Sequence, residues 1–135
     1  GILTTLALDK RTVSQYSPLA LAFLGDSVYE QLVRERLILS GNMPAGKLHS
    51  MAVKHVCCEF QSAACDIIAP ALTEEEQDIM RRGRNSSGIT PPKHSKVAEY
   101  RRATSLECLF GYLYLMGKIE RIEELFKKIW ETVEI

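Results

Sequence analysis

No segment of this 135-residue chain stays apolar for the roughly 18 residues that a membrane-spanning helix needs, which excludes a helical membrane span. No apolar segment follows a basic start, so no signal peptide is expected. Nowhere does the sequence alternate apolar and polar residues with the period of two that marks a half-buried strand. It has no internal repeat and no low-complexity tract. The four cysteines, Cys57, Cys58, Cys65 and Cys108, form no C-x-x-C pair, and the adjacency of the first two suits neither a zinc knuckle nor a disulfide. They read as buried, reduced thiols of a cytosolic protein. An excess of charge of either sign is also missing: 17 basic residues balance 17 acidic ones, which taken alone argues against a nucleic-acid partner.

What is present points to one globular domain with a real core, since 46% of residues are apolar and 25% charged. The charge is unevenly spread. From Arg81 to Arg102 there are seven basic residues (Arg81, Arg82, Arg84, Lys93, Lys96, Arg101, Arg102) and one acid, Glu99, so this segment carries +6 and the remainder −6. The neutral total hides a basic stripe on an acidic body.

Residues 1–16 are ambiguous and read as an N-terminal arm ahead of a domain spanning 17–135. Ser17-Pro18 opens a helix over residues 19–39, with Ser17 as N-cap and Pro at N1, and Ser40-Gly41 stops it. One or two helices follow from about residue 45 to 69, with Pro70 as breaker. Thr73-Glu74-Glu75-Glu76 is a capping box for a helix ending near Gly83. Residues 85–92, rich in Ser, Gly and Pro, form a loop. Ser95 is a candidate cap for a helix over 96–116, closed by Gly117, and an amphipathic helix covers 119–133. The expectation is an all-α bundle of six or seven helices.

Two acids stand out. The helix from Pro18 begins apolar all round and should lie in the middle of the fold, yet Asp26 sits inside that run beside Gly25. The helix around residues 104–115 is nearly continuous hydrophobe, with Glu107 its only acid and Gly111 one turn further along the same face. Glycine is a poor helix former, and its presence beside each acid suggests close approach of another helix or a ligand. If the helices cross there, the carboxylates face each other. They would repel and raise one pKa unless a cation lies between them, and oxygen ligands of this kind suit Mg²⁺. Pattern alone leaves open the alternative that each acid pairs with an arginine such as Arg101 or Arg102. Glu30 reads as an outer ligand or a partner of Arg34. Ser27 has no histidine placed to activate it, and His49 and His55 read as structural.

Leu21-Ala22-Phe23-Leu24-Gly25-Asp26-Ser27-Val28 resembles the first signature of the ribonuclease III catalytic domain, and Thr104-Ser105-Leu106-Glu107-Cys108-Leu109-Phe110-Gly111 resembles the second, in the family's order. Two of the family's four acidic positions fall on Ala22 and Thr104. The Mini-ribonuclease III subfamily, which has no double-stranded-RNA-binding domain, keeps only the aspartate and the glutamate. Further stretches are similar to it, among them Lys47-Leu48-His49, Arg81-Arg82-Gly83-Arg84-Asn85, Thr90-Pro91-Pro92-Lys93 and Tyr100-Arg101.

The resemblance implies a ribonuclease III endonuclease-domain helical bundle acting as a homodimer on double-stranded RNA and leaving 5′-phosphate and 3′-hydroxyl ends. It implies Asp26 and Glu107 as catalytic metal ligands for Mg²⁺, with Mn²⁺ able to substitute, and Phe23 at the dimer interface. It implies maturation of 23S ribosomal RNA precursor with help from a ribosomal protein, in a bacterial cytoplasm or a plastid, away from membranes. The seven basic residues are then the RNA contact, and Thr104 can hold an outer-shell water. Two rivals remain: a non-catalytic relative that binds RNA or ribosomes, motivated by Ala22 and Thr104, and an all-α metal-dependent hydrolase of nucleotides.

Overall fold

In the computed structural model of the chain, residues 7–88, 93 and 96–132 are described. They form seven α-helices and no strand: α1 (Lys10–Val13), α2 (Pro18–Ser40), α3 (Ala45–Val56), α4 (Cys58–Ile68), α5 (Glu74–Arg84), α6 (Val97–Leu115) and α7 (Ile119–Thr132). A 3-10 turn, Ala69–Ala71, takes up Pro70.

Local chemistry explains most boundaries. Ser17 accepts a hydrogen bond from Ala20 N, with Pro18 behind it. Thr73 and Glu76 make the reciprocal capping box, Glu76 N donating to Thr73 Oγ1 and Thr73 N to Glu76 Oε1. Gly117, at φ 72°, takes the left-handed conformation that ends α6. The stretch expected to be an irregular arm contains the single-turn helix α1, capped by Asp9, with Val13 fully buried and Leu8 N donating to Leu115 O. Helix α6 starts at Val97 after Lys96, with no side-chain cap bond. The proposed cap Ser95 lies outside the described residues, as do 89–92 of the expected loop and Val133.

Helix α6 is the axis of the fold, packing on α2, α4, α5 and α7. Its residues 103–106 and 108–113 are buried. Tyr29 of α2 packs against Phe110 and Phe126, and His55 stacks on Trp130 while its Nδ1 bonds Met51 O. His55 is therefore a core residue. A buried ion pair joins α5 to α7: Arg121 donates through Nε and Nη2 to both oxygens of Glu76 and through Nη2 to Ala71 O.

Two expectations need correction. Helix α2 is not covered all round. Ala20, Phe23, Ser27, Gln31, Arg34 and Ile38, at helical spacing, form an exposed stripe, with Phe23 85% exposed. Asp26 is likewise exposed rather than buried, because among the described residues no other element covers that edge of the helix. Cys65 and Cys108 are buried as expected, but Cys58 is half-buried and Cys57 exposed; none of the four forms a disulfide.

Candidate active site

Helices α2 and α6 cross backbone to backbone. A Cβ added at Gly25 would lie 1.6 Å from Glu107 O, and one at Gly111 would lie 2.0 Å from Leu21 O. No side chain larger than hydrogen fits at either position. This contact puts Asp26 and Glu107 side by side, as the paired glycines implied.

Half-buried Glu107 faces Asp26 directly. Burial, then the charge and hydrogen bond of Asp26, push the Glu107 carboxyl up to about 8, while the Gln61 amide acts in the opposite direction. At neutral pH the Glu107 carboxyl therefore favours its protonated form. None of the ion pairs among the described residues involves either acid. The arginines considered as their partners are engaged elsewhere. Arg101 Nη1 donates to Arg84 O and Ser86 O, and Arg102 pairs with Asp66. Glu30 pairs with Arg34. Ser27 Oγ donates to Leu24 O at 2.7 Å, an intrahelical bond that leaves it no activating base.

Two carboxylates in contact, short of positive charge, form a donor set that fits a hard divalent cation. The chain offers no larger cage: among the described residues no group of three or more His, Cys, Asp or Glu could hold a metal ion. Ala22 is buried and contributes no oxygen. Thr104 is 6% exposed, and its hydroxyl donates to Tyr100 O at 3.0 Å.

The basic residues gather at one end of the α5–α6 pair. Arg81, Arg84, Lys93 and Lys96 are exposed; Arg82, Arg101 and Arg102 are half-buried. Arg81 also pairs with Asp78 of its own helix. Glu107 follows Arg102 by five residues on α6, about 8 Å along the axis.

The sequence reading missed Gln61. It is 2% exposed on α4, its amide lies against Glu107, and its Nε2 has no hydrogen-bond partner. The available signal was the one that exposed the two acids: a long polar side chain on the core face of an apolar helix, beside Phe60 and one turn before Cys65.

A sequence profile of the Ribonuclease III domain matches residues 19–118, so the chain belongs to the ribonuclease III family and is an endoribonuclease. Among its relatives, Mini-ribonuclease 3 of Symbiobacterium thermophilum is 45% identical over 117 residues, 87% of this chain and 90% of that protein. Mini-ribonuclease 3 of a Thermoanaerobacter species is 42% identical over 130 residues, 96% and 92% of the two chains. A crystal structure of a Fusobacterium nucleatum protein matches with a TM-score of 0.77 at 34% identity, over 84% of this chain and 92% of that one. Within the family its place is with the Mini-ribonuclease 3 proteins.

Proposed function

We propose that the chain is a Mg²⁺-dependent endoribonuclease that cuts double-stranded RNA as a homodimer. The observation that carries this reading is the contact between Asp26 and Glu107 across the α2–α6 crossing, with neither acid in an ion pair among the described residues. Asp26 and Glu107 would hold Mg²⁺, or Mn²⁺ in its place, and the cation would supply a more acidic water and an offset to phosphate charge for the hydrolysis. Asp26, exposed, faces incoming substrate, while half-buried Glu107 anchors the site to the core.

Arg81, Arg82, Arg84, Lys93, Lys96, Arg101 and Arg102 form the RNA-binding end, suited to A-form RNA, whose phosphates and 2′-hydroxyls are its readable features. Arg101 acts mainly by shaping the loop whose carbonyls it holds. The uncovered stripe of α2 supports the homodimer: an 85% exposed Phe23 on a helix this apolar calls for a covering surface. The subfamily resemblance extends the reading to 23S ribosomal RNA precursor, assisted by a ribosomal protein. Bacterial relatives and four cysteines outside any disulfide fit a cytoplasmic setting.

Incubation with long double-stranded RNA, with and without Mg²⁺, tests the proposal. The wild type should cleave only with metal, and Asp26→Asn should fold yet be inactive. Binding without cleavage in every metal tried would favour the non-catalytic reading, and an active Asp26→Asn would defeat the site assignment.

A further inference from the structure

Gln61 is buried to 2% exposure, and its Nε2 lies close enough to Glu107 to lower that carboxyl's pKa yet makes no hydrogen bond of ordinary geometry. A buried amide hydrogen without an acceptor is costly, and a methionine or leucine would pack the same space without that cost. The register of α4 on α6 places this orphan donor. The two helices run antiparallel: the Cys65 thiol donates to Arg102 O and lies 3.8 Å from Ser105 Oγ, and Asp66 pairs with Arg102. One turn back along α4 from Cys65, and two residues on along α6 from Ser105, Gln61 meets Glu107, whose carboxyl is itself engaged with Asp26.

We propose that Gln61 is a positioning residue of the nuclease site, which turns its Nε2–H onto the outer oxygen of Glu107 when Asp26 and Glu107 hold the divalent cation. This rests on the metal site proposed above. In the arrangement described, Glu107 is turned to Asp26 and the amide is left over. With a cation between the acids, the Glu107 oxygen facing away from it is free to accept, and Gln61 is the buried donor beside it. Ligating carboxylates are generally held by such outer hydrogen bonds, and removing one typically weakens metal binding about 10- to 100-fold. A site with only two protein carboxylates depends more on their orientation than one with four. Because Gln61 is on α4, it links a third helix to a site otherwise built from two.

The experiment is Mn²⁺ binding by calorimetry to the wild type, Gln61→Met and Asp26→Asn. Gln61→Met should fold with a Tm at or above the wild type and bind Mn²⁺ about 10- to 100-fold more weakly. Its cleavage should be restored in part by raising the metal concentration. Wild-type Mn²⁺ affinity in Gln61→Met, with binding lost in Asp26→Asn, overturns the role of Gln61 and leaves the carboxylate site standing. Undiminished binding in both overturns the site as well. If Gln61→Met does not fold, the wild-type side-chain amide resonance decides. Mg²⁺ should shift the Gln61 NH₂ signal downfield and slow its exchange with solvent, and an unmoved signal overturns the proposal.

Discussion

Replacing Gly25 with alanine probes the feature that creates the site. The new Cβ would lie 1.6 Å from Glu107 O, 2.6 Å from Glu107 C and 2.9 Å from Gly111 N, whereas ordinary contact begins at 3.4 Å. The shortfall is 3.4 − 1.6, or 1.8 Å, against main-chain atoms that cannot swing aside. Helices α2 and α6 must therefore separate, in the most extensive helix pairing of the fold. Overpacking against side chains costs about 1 to 3 kcal/mol. Against backbone on the central axis, the upper end and beyond is expected, about 3 to 5 kcal/mol, or roughly 10 to 20 °C in Tm for a chain of this size. Separation also moves Asp26 from Glu107, and a misplacement of about 1 Å typically lowers activity on the order of 100-fold. Thermal melts and cleavage assays of a graded series make the comparison. Gly111→Ala, at 2.0 Å from Leu21 O, should behave like Gly25→Ala. Gly83→Ala, at 3.0 Å from Cys108 Cβ and 3.1 Å from Ser105 Cα, should cost less. Gly46→Ala, with nothing within 4 Å, should be neutral or gain up to about 1 kcal/mol of helix propensity. A Gly25→Ala protein that melts and cleaves like the wild type would refute the reasoning.

Two further outcomes follow from the charges. Without metal, the Glu107 carboxyl, raised from 4.5 to about 8 by burial and Asp26, favours the fold while protonated. Its contribution is full below pH 4.5 and is lost as pH rises through about 8; the loss should be about 2 to 4 kcal/mol, readable by urea unfolding in EDTA. Glu107→Gln should flatten that window, and an unchanged slope would place the effect elsewhere. Arg121→Met strands buried Glu76 and should cost about 3 to 5 kcal/mol at neutral pH. Burial alone would raise the Glu76 pKa, but the hydrogen bonds of Arg121 and Thr73 outweigh it and hold it below 4.5. The stabilisation is thus present above pH 4.5 and lost as pH falls through the lowered value, so the variant's acid unfolding should be displaced to higher pH.

Helix ends governed by neighbours in sequence were legible from the chain. The Ser17-Pro18 start, the Thr73 capping box and the Gly117 stop are local chemistry, and each lies where the sequence placed it. The α3–α4 break was not, because Cys57 leaves the helix at ψ 159° with no Pro or Gly to mark it. The meeting of Asp26 and Glu107 could be read because each acid stood beside a glycine in an apolar run. Exposure of Asp26 could not, since hydrophobic periodicity reports that a face seeks cover and not whether this chain supplies it. Gln61 escaped because glutamine is an ordinary helix residue, conspicuous only once its neighbours are known. The Glu76–Arg121 pair spans 45 positions, beyond any local pattern.

The fork of Arg101 has an effect at a distance from its own charge. By drawing in the carbonyls of Arg84 and Ser86, it turns the oxygen-rich tail of α5 inward. A polyanion nearing that end of the helix is spared the lone pairs that would otherwise push it away. A lysine, with one compact ammonium in place of a planar fork, would leave part of that repulsion facing outward.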